Sequence, residues 1–415
     1  MRLGIIAYGR AGCRIAAAFK RREKRSMTHL SEFIMLADTA SQQLIDVDVI
    51  DDDWKAVYGE PRFAGTGTAG KLGPGVEAAK ATTQNIESVL QYSGTNRSNI
   101  DAFLVIGSLG GGTGGSGAPV AAKYLTGITG STPVYGVGVL PAPCEPDIYT
   151  VNAARSIQSF AAATDTVLLF DNKTLGVAEP DSHPDVPDDI PASDVFGPVN
   201  KTIAELIHTV FAADTRTTGS ELPGAVADQD DITSVLGTGG LSTVSFVEKS
   251  LPRPARPGVV GRAARFLNTL TSGVRAGSVR DWPHPTDLVE YVASTDASML
   301  PPVTPDDAAR TLTLLTGPRD HLHASHVTDT ADWAVEAFEN ELTVVKADPR
   351  RRAKAVSLLT VCSGIGIPPR VEDLLSDAEH VAREVQQQQQ QQSRERDPKS
   401  VNVFDDDSTR IPPAF

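Results

Sequence analysis

The residues best suited to chemistry here are those with no side chain. Gly107-Ser-Leu-Gly-Gly-Gly-Thr-Gly-Gly-Ser-Gly117 sits between a strand-length apolar run, Asp101 to Ile106, and a stretch of helix composition, Ala118 to Leu125. Bare amides can close on an oxyanion, and the free N–H groups of a helix start add partial positive charge, so strand, glycine loop, helix is the order a phosphate site requires. Thr113 and Ser116 bring hydroxyls to the same loop. A second such turn, Gly9-Arg10-Ala11-Gly12, joins the apolar run Leu3 to Tyr8 to a helix opening at Cys13. Alone it reads as half of a dinucleotide-binding G-x-G-x-x-G with Asp38 as ribose acid, but Arg14 stands where the third glycine belongs. A third stretch, Gly65 to Lys71, nearly spells G-x-x-x-x-G-K-[ST]; Leu72 replaces the hydroxyl and no apolar strand feeds it.

Polar side chains stand at the ends of further strands. Glu145 falls in the loop after the strand Pro133 to Leu140, where open α/β sheets place ligands. Asn172 comes after Val167 to Phe170, and its amide offers the donor and acceptor that a purine edge needs. Asp228, Asp230 and Asp231 are spaced as the acidic cap and first turn of a helix. His321, His323 and His326 lack partners at ligand spacing and read as a polar loop.

The elements that must position these groups alternate between strand and helix through the first half, as a parallel sheet demands. Val76 to Leu90 has helical spacing. Ala178 to Ser193, rich in proline and aspartate, reads as an irregular loop, and Phe196 to Asn200 opens a helix with Ile203, Leu206, Ile207, Val210 and Phe211 on one face. Gly219 to Gly224 reads as a turn. Strands are expected at Leu241–Val247, Thr311–Leu315, Leu342–Lys346 and Ala355–Val361, with helices at Gly261–Leu270 and Asp329–Glu341. The chain of 415 residues, 40% hydrophobic and 22% charged, suits two domains and a tail; the glutamine run 386–392 and the residues beyond it are expected to be disordered. A net charge of −14 argues against nucleic acid as a partner and suits a salt-adapted protein. No apolar run reaches the ~20 residues of a membrane helix, no signal peptide is evident, and Cys13, Cys144 and Cys362 lack metal spacing, so a cytoplasmic location without membrane insertion is expected.

Gly110-Gly111-Gly112-Thr113-Gly114 resembles the tubulin/FtsZ signature GGGTG[ST]G, and Asp101 to Asn152 is similar to the archaeal CetZ branch; the resemblance runs from Met1 to about Arg383. It departs where Gly115 and Ser116 reverse the usual order. The resemblance implies an α/β, tubulin/FtsZ-like fold: a Rossmann-like GTPase domain with its central helix (1–218), a smaller α+β activation domain (219–364), a C-terminal helix (365–385) and a disordered tail (386–415). It implies GTP or GDP, with Mg²⁺, held by Gly9, Arg10, Ala11, Gly12 and Arg14 in a first loop and Asp38, Thr39 and Ala40 in a second. Gly65, Thr66 and Gly67 form the third, with Lys71 a phosphate contact, and Gly110 to Gly115 the fourth. Glu145 would take the ribose, while Asn172, Phe196 and Asn200 would take the guanine. Asp228 and Asp231 would activate water, with Val226 in place of the family's Asn.

A helix from Asn200 to Asp214 is about 22 Å long, so if its start touches the base, acids beyond its far end reach only a neighbour's triphosphate. The partner implied is thus another copy of the chain in a head-to-tail filament serving cell shape or motility. The last residues, Ile411 to Phe415, resemble the tail by which FtsZ docks partner proteins. Two alternatives stay open: an NAD(P)-dependent oxidoreductase, and a GTP-binding filament protein with little hydrolysis.

Overall fold

Near-continuous apolar runs are what strands covered on both faces require, and those runs become the middle of one large sheet. The computed structural model describes residues 1–91, 99–175, 192–213, 226–250, 299–300, 307–318, 322, 324–350 and 355–396. The first half supplies β1 (Leu3–Tyr8), β2 (Ser31–Asp38), β3 (Lys55–Val57), β4 (Ala102–Ser108), β5 (Val134–Leu140) and β6 (Thr166–Asp171). All are parallel, in the order β3-β2-β1-β4-β5-β6. The helices are α1 (Gly9–Ser26), α2 (Ser41–Ile45), α3 (Leu72–Ala81), α4 (Gln84–Gln91), α5 (Gly114–Ile128) and α6 (Asp147–Ala161). Every residue of β1, β5 and β6 is buried, as layers on both faces demand.

The central helix, α7 (Ala192–Ala212), lays Ile203, Leu206, Ile207, Val210 and Phe211 into the core at the expected spacing. Its 21 residues span about 31 Å. Beyond it come α8 (Gln229–Leu236), β7 (Leu241–Ser250), β8 (Met299–Leu300), β9 (Arg310–Gly317), α9 (Ala324–Ala337), β10 (Leu342–Pro349) and β11 (Ala355–Ile365). Here the sheet turns mixed: β11 lies antiparallel between β7 and β9, and β10 runs parallel to β9. The two halves join where β6 meets β7 at Val167–Leu241 and Leu168–Ser242. Finally α10 (Pro369–Arg396) docks Val371, Leu374 and Ala378 on the body. It continues through the glutamine run, Gln being a good helix former.

Several boundaries differ from the sequence-based expectation, for local reasons. Both glycine turns are shorter than expected because α1 starts at Gly9 and α5 at Gly114. The helix expected over 76–90 is two, parted at Thr82, whose hydroxyl bonds back to the Ala78 and Ala79 carbonyls. The central helix starts before Phe196, at Ala192, and α9 stops at Ala337 instead of 341. The helix expected at 261–270, the turn at 219–224, most of the 178–193 loop, His321, His323 and the tail segment 411–415 lie outside the described residues.

Candidate nucleotide site and a separate acidic cap

The two glycine turns meet. Gly9 takes φ +74°, and a Cβ there would lie 2.9 Å from the Gly114 amide nitrogen, so the starts of α1 and α5 converge on one point. Around it opens a cavity of about 310 Å³. From the first turn Gly9, Arg10, Ala11 and Arg14 line it, and from the central turn Gly111, Gly112, Thr113 and Gly114. Asp38 and Ala40 contribute from the end of β2, and Gly67 from the third loop. At another part of the wall stand Glu145, Asn172, Phe196 and Asn200, brought together from two loops and α7.

The remaining expected residues serve from behind. Gly12 lets α1 approach β4, since a Cβ would come 2.6 Å from the Ile106 carbonyl oxygen. Gly110 sits against Tyr149 of α6, and Gly115 is pressed on Leu109 O and Ser156 Oγ. Thr39 is fully buried, and its hydroxyl meets that of Thr113 at 2.6 Å, tying the second loop to the fourth. Gly65 and Thr66 pair with that second loop: Ser41 N donates to Gly65 O at 2.9 Å, and Ala40 bridges Thr66. Ser116 lies inside α5, its hydroxyl donating to Gly112 O at 2.5 Å, and so belongs to the helix and not to the loop. Lys71 is exposed and off the lining.

Sequence reasoning did not single out Gln43, Thr68, Ala69, Gly70, Ser108 or Tyr149, which also line the cavity. Thr68 to Gly70 lay inside a glycine stretch that signalled a loop, and Tyr149 lay inside the Asp101–Asn152 stretch that carries the family resemblance; Gln43 gave no local signal. Asn152 is a further positioning group, its amide donating to Gly70 O at 2.8 Å and Gly110 O at 2.9 Å. Because Gly112 lies in van der Waals contact with the Thr68–Lys71 segment, the third loop is clamped directly over the central one.

Charge is distributed around the same space. Asp38 is 2% exposed; one carboxylate oxygen accepts the Ala40 amide at 2.9 Å and the other has no protein partner, and burial pushes its pKa up to about 6. Arg10, whose charge opposes that rise, donates from Nε to Gln43 Oε1 at 2.7 Å. Burial also raises Glu145, whose Oε1 accepts from Ala142 N at 2.8 Å and Asn172 Nδ2 at 3.0 Å. Those two loops are fastened from α10: Arg370 pairs with fully buried Asp171 at 3.2 Å and donates to Pro141 O at 2.9 Å.

Asp228 and Asp231 line no part of this cavity. They cap α8: Asp228 Oδ1 accepts from Asp231 N at 2.9 Å, and Asp231 Oδ2 accepts from Asp228 N at 3.0 Å. Val226 is buried and bridges Ala347 of β10, and the neighbouring Lys346 lies 2.9 Å from Asp231 Oδ2.

Comparison with known proteins decides between a dinucleotide site and a nucleoside triphosphate site. Residues 2–177 match the Tubulin/FtsZ family GTPase domain, and residues 191–380 match the C-terminal domain of tubulin-like CetZ proteins. The chain belongs to the tubulin/FtsZ superfamily, in its CetZ branch. Tubulin-like protein CetZ1 of Haloferax volcanii is 29% identical over 378 residues, 90% of this chain and 91% of its own. The GDP-bound monomer structure of CetZ1 superposes with a TM-score of 0.74 at 25% identity, over 92% of this chain and all of the other. A GTPγS-bound protofilament of CetZ2 from the same organism gives 0.73 at 22%, over 93% of this chain and all of the other. The tubulin/FtsZ-like architecture expected from the sequence is thus the one observed. A CetZ-type GTPase fold disfavours the oxidoreductase alternative. Among the described residues no helix is long and apolar enough to cross a membrane.

Proposed function

We propose that this protein binds GTP and GDP in the cavity at the convergence of its glycine turns, assembles head to tail, and hydrolyses GTP where one copy meets the next, as a cytoskeletal filament that shapes the cell. The observation that carries the shared-site reading is a separation. The cavity is lined from several stretches of the first half and from α7, yet the acids suited to activating water cap a different helix and line no part of it.

In this reading the amides of Gly111 to Gly114 and the start of α5 hold the phosphates. The third loop, clamped by Asn152, covers them. Glu145 accepts from the ribose hydroxyls, Asn172 and Asn200 choose guanine, and Phe196 stacks on the base. Mg²⁺ suits the same place: it keeps most of its water and binds through one or two carboxylates plus substrate phosphates, and Asp38 presents a buried oxygen without a protein partner. Asp38 would hold it, with the ion supplying charge neutralisation for the phosphates. Asp228 and Asp231 of the next copy orient and polarise a water, whose oxygen bonds to the γ-phosphorus as the bond to the β–γ bridging oxygen breaks, releasing GDP and phosphate.

Turnover is slow in this reading, because buried Val226 offers no polar side chain where the family has Asn. The acidic surface makes nucleic acid a poor partner, and Ile411 to Phe415 are the segment on which a partner protein would dock. The test mixes protein with GTP at high salt and tracks light scattering and phosphate release together. Asp228→Ala should retain nucleotide and assemble but release at most about a hundredth of the phosphate; unchanged release from that variant would falsify the shared-site reading.

A further inference from the structure

The acidic cap raises a physical difficulty. Asp228, Asp230 and Asp231 place three carboxylates within four residues, and in a head-to-tail filament they must approach a polyphosphate. Like charges brought together out of water repel strongly. A cation on the same face is required, and the structure places one there.

Lys346 lies on β10 with its ammonium 2.9 Å from Asp231 Oδ2, and both side chains are largely covered, at 19% and 16% exposure. Its position is set by backbone: the next residue, Ala347, makes the bridge to Val226 at the entrance to the acidic segment. The register that pairs Lys346 with Leu314 of β9 fixes that strand in the sheet. The capping box does not need the lysine, since Asp231 Oδ2 already accepts the Asp228 amide and closes the cap. The ion pair is therefore an addition to the helix cap. It stands beside Val226, which leads into the acidic segment.

We propose that Lys346 is a positioning residue for GTP hydrolysis, holding Asp231 in one orientation and offsetting the charge of the acidic cap as it meets the neighbouring copy's triphosphate. This rests on the assignment of Asp228 and Asp231 to hydrolysis across the junction. Fixing one oxygen of Asp231 with both an amide and an ammonium leaves Oδ1 as the oxygen directed at water. Charge supplied by β10 also makes the sheet of the second half part of the reacting centre, at a strand where the sequence had shown no motif.

The experiment compares Lys346→Met, Lys346→Arg, Asp231→Asn and the double variant in the full chain. It measures fluorescent-GDP affinity before assembly, the critical concentration, and phosphate release per sedimented subunit. Lys346→Met should keep GDP affinity and critical concentration within about twofold while release falls ~10- to 100-fold, and Lys346→Arg should recover at least about a third of it. The double variant should be no slower than Asp231→Asn alone, because the lysine acts through that carboxylate. If Lys346→Met does not assemble by itself, copolymers with wild-type protein give the same readout, with release falling in proportion to the variant fraction. Wild-type release from Lys346→Met, with Asp231→Asn slow, overturns the role of the lysine alone. Wild-type release from Asp231→Asn and Asp228→Ala overturns the shared site on which it rests.

Discussion

The glycine cradle and the acidic cap differ in how complete each is by itself. At the cradle, four loops are already closed on one another: Gly9 against Gly114 and Gly112 against the Thr68–Lys71 segment leave no room for a Cβ, and the Thr39 and Thr113 hydroxyls are bonded. At the cap, Asp228 and Asp231 satisfy each other and Lys346, away from the cavity lined by Arg10, Arg14, Asp38, Thr113, Glu145, Asn172 and Asn200. A binding site must be finished before its ligand arrives, because preorganised amides need no reorganisation at the moment of reaction. On the proposed shared-site reading, the hydrolytic half stays unfinished until a second copy supplies it.

The largest effect expected is at the cradle. Gly112→Ala drives a methyl into Thr68 Oγ1 and to within 2.8 Å of the Gly70 carbonyl carbon, parting the two loops. GTP affinity, read by fluorescent-nucleotide titration, should fall more than about 100-fold, or about 3 kcal/mol. A loss under threefold would mean that the cradle is not preorganised.

Restoring the usual family order, Gly115→Ser with Ser116→Gly, should harm this chain. The new Cβ would meet Leu109 O and lie 2.6 Å from Ser156 Oγ, while the bonds from Ser116 to Gly112 and Thr113 vanish. A stability loss of about 2–3 kcal/mol by denaturant unfolding is expected, and a gain in turnover from that swap would contradict this packing account.

Asp38→Asn separates binding from stability. Burial raises the carboxyl from 3.8 to about 6, so the folded state binds a proton more tightly than the unfolded chain, and stability drains away as pH climbs from about 4 through 6. The variant should therefore stabilise the nucleotide-free protein by about 2 kcal/mol at pH 7.5 and by almost nothing near pH 4, while binding magnesium–GTP less well. Thermal melts at the two pH values check this; equal gains at both would show that the buried charge is not the cause.

Thr39→Val is the mildest probe. It removes the bond to Thr113 without changing volume, and a cost near 1 kcal/mol is expected in nucleotide binding as well as unfolding. Loss confined to unfolding would place that bond in the scaffold only.

The sequence made the cradle legible because its signal is local: glycine between an apolar run and a helix demands close backbone approach wherever it occurs. The strands were equally plain, down to Leu241–Val247 and Ala355–Val361, which lie within β7 and β11. What stayed hidden depends on contacts between distant residues. Asn152 clamping Gly70 and Gly110, Arg370 fastening Asp171, and Lys346 meeting Asp231 each join separate segments of the chain. No spacing rule within either segment announces the other. Ser116 misled for the opposite reason, since a hydroxyl in a glycine run looks available until the helix start is known to precede it.

The seam between the halves has a mechanical consequence. β5 runs beside β6 from Tyr135 to Leu140, and β11 beside β7 along nearly its whole length, but β6 and β7 share only the rungs at Val167–Leu241 and Leu168–Ser242. With so narrow a ladder, the two flanks are held together mainly by the shared apolar core and by α10, whose Arg370 grips the strand whose far tip carries Asn172.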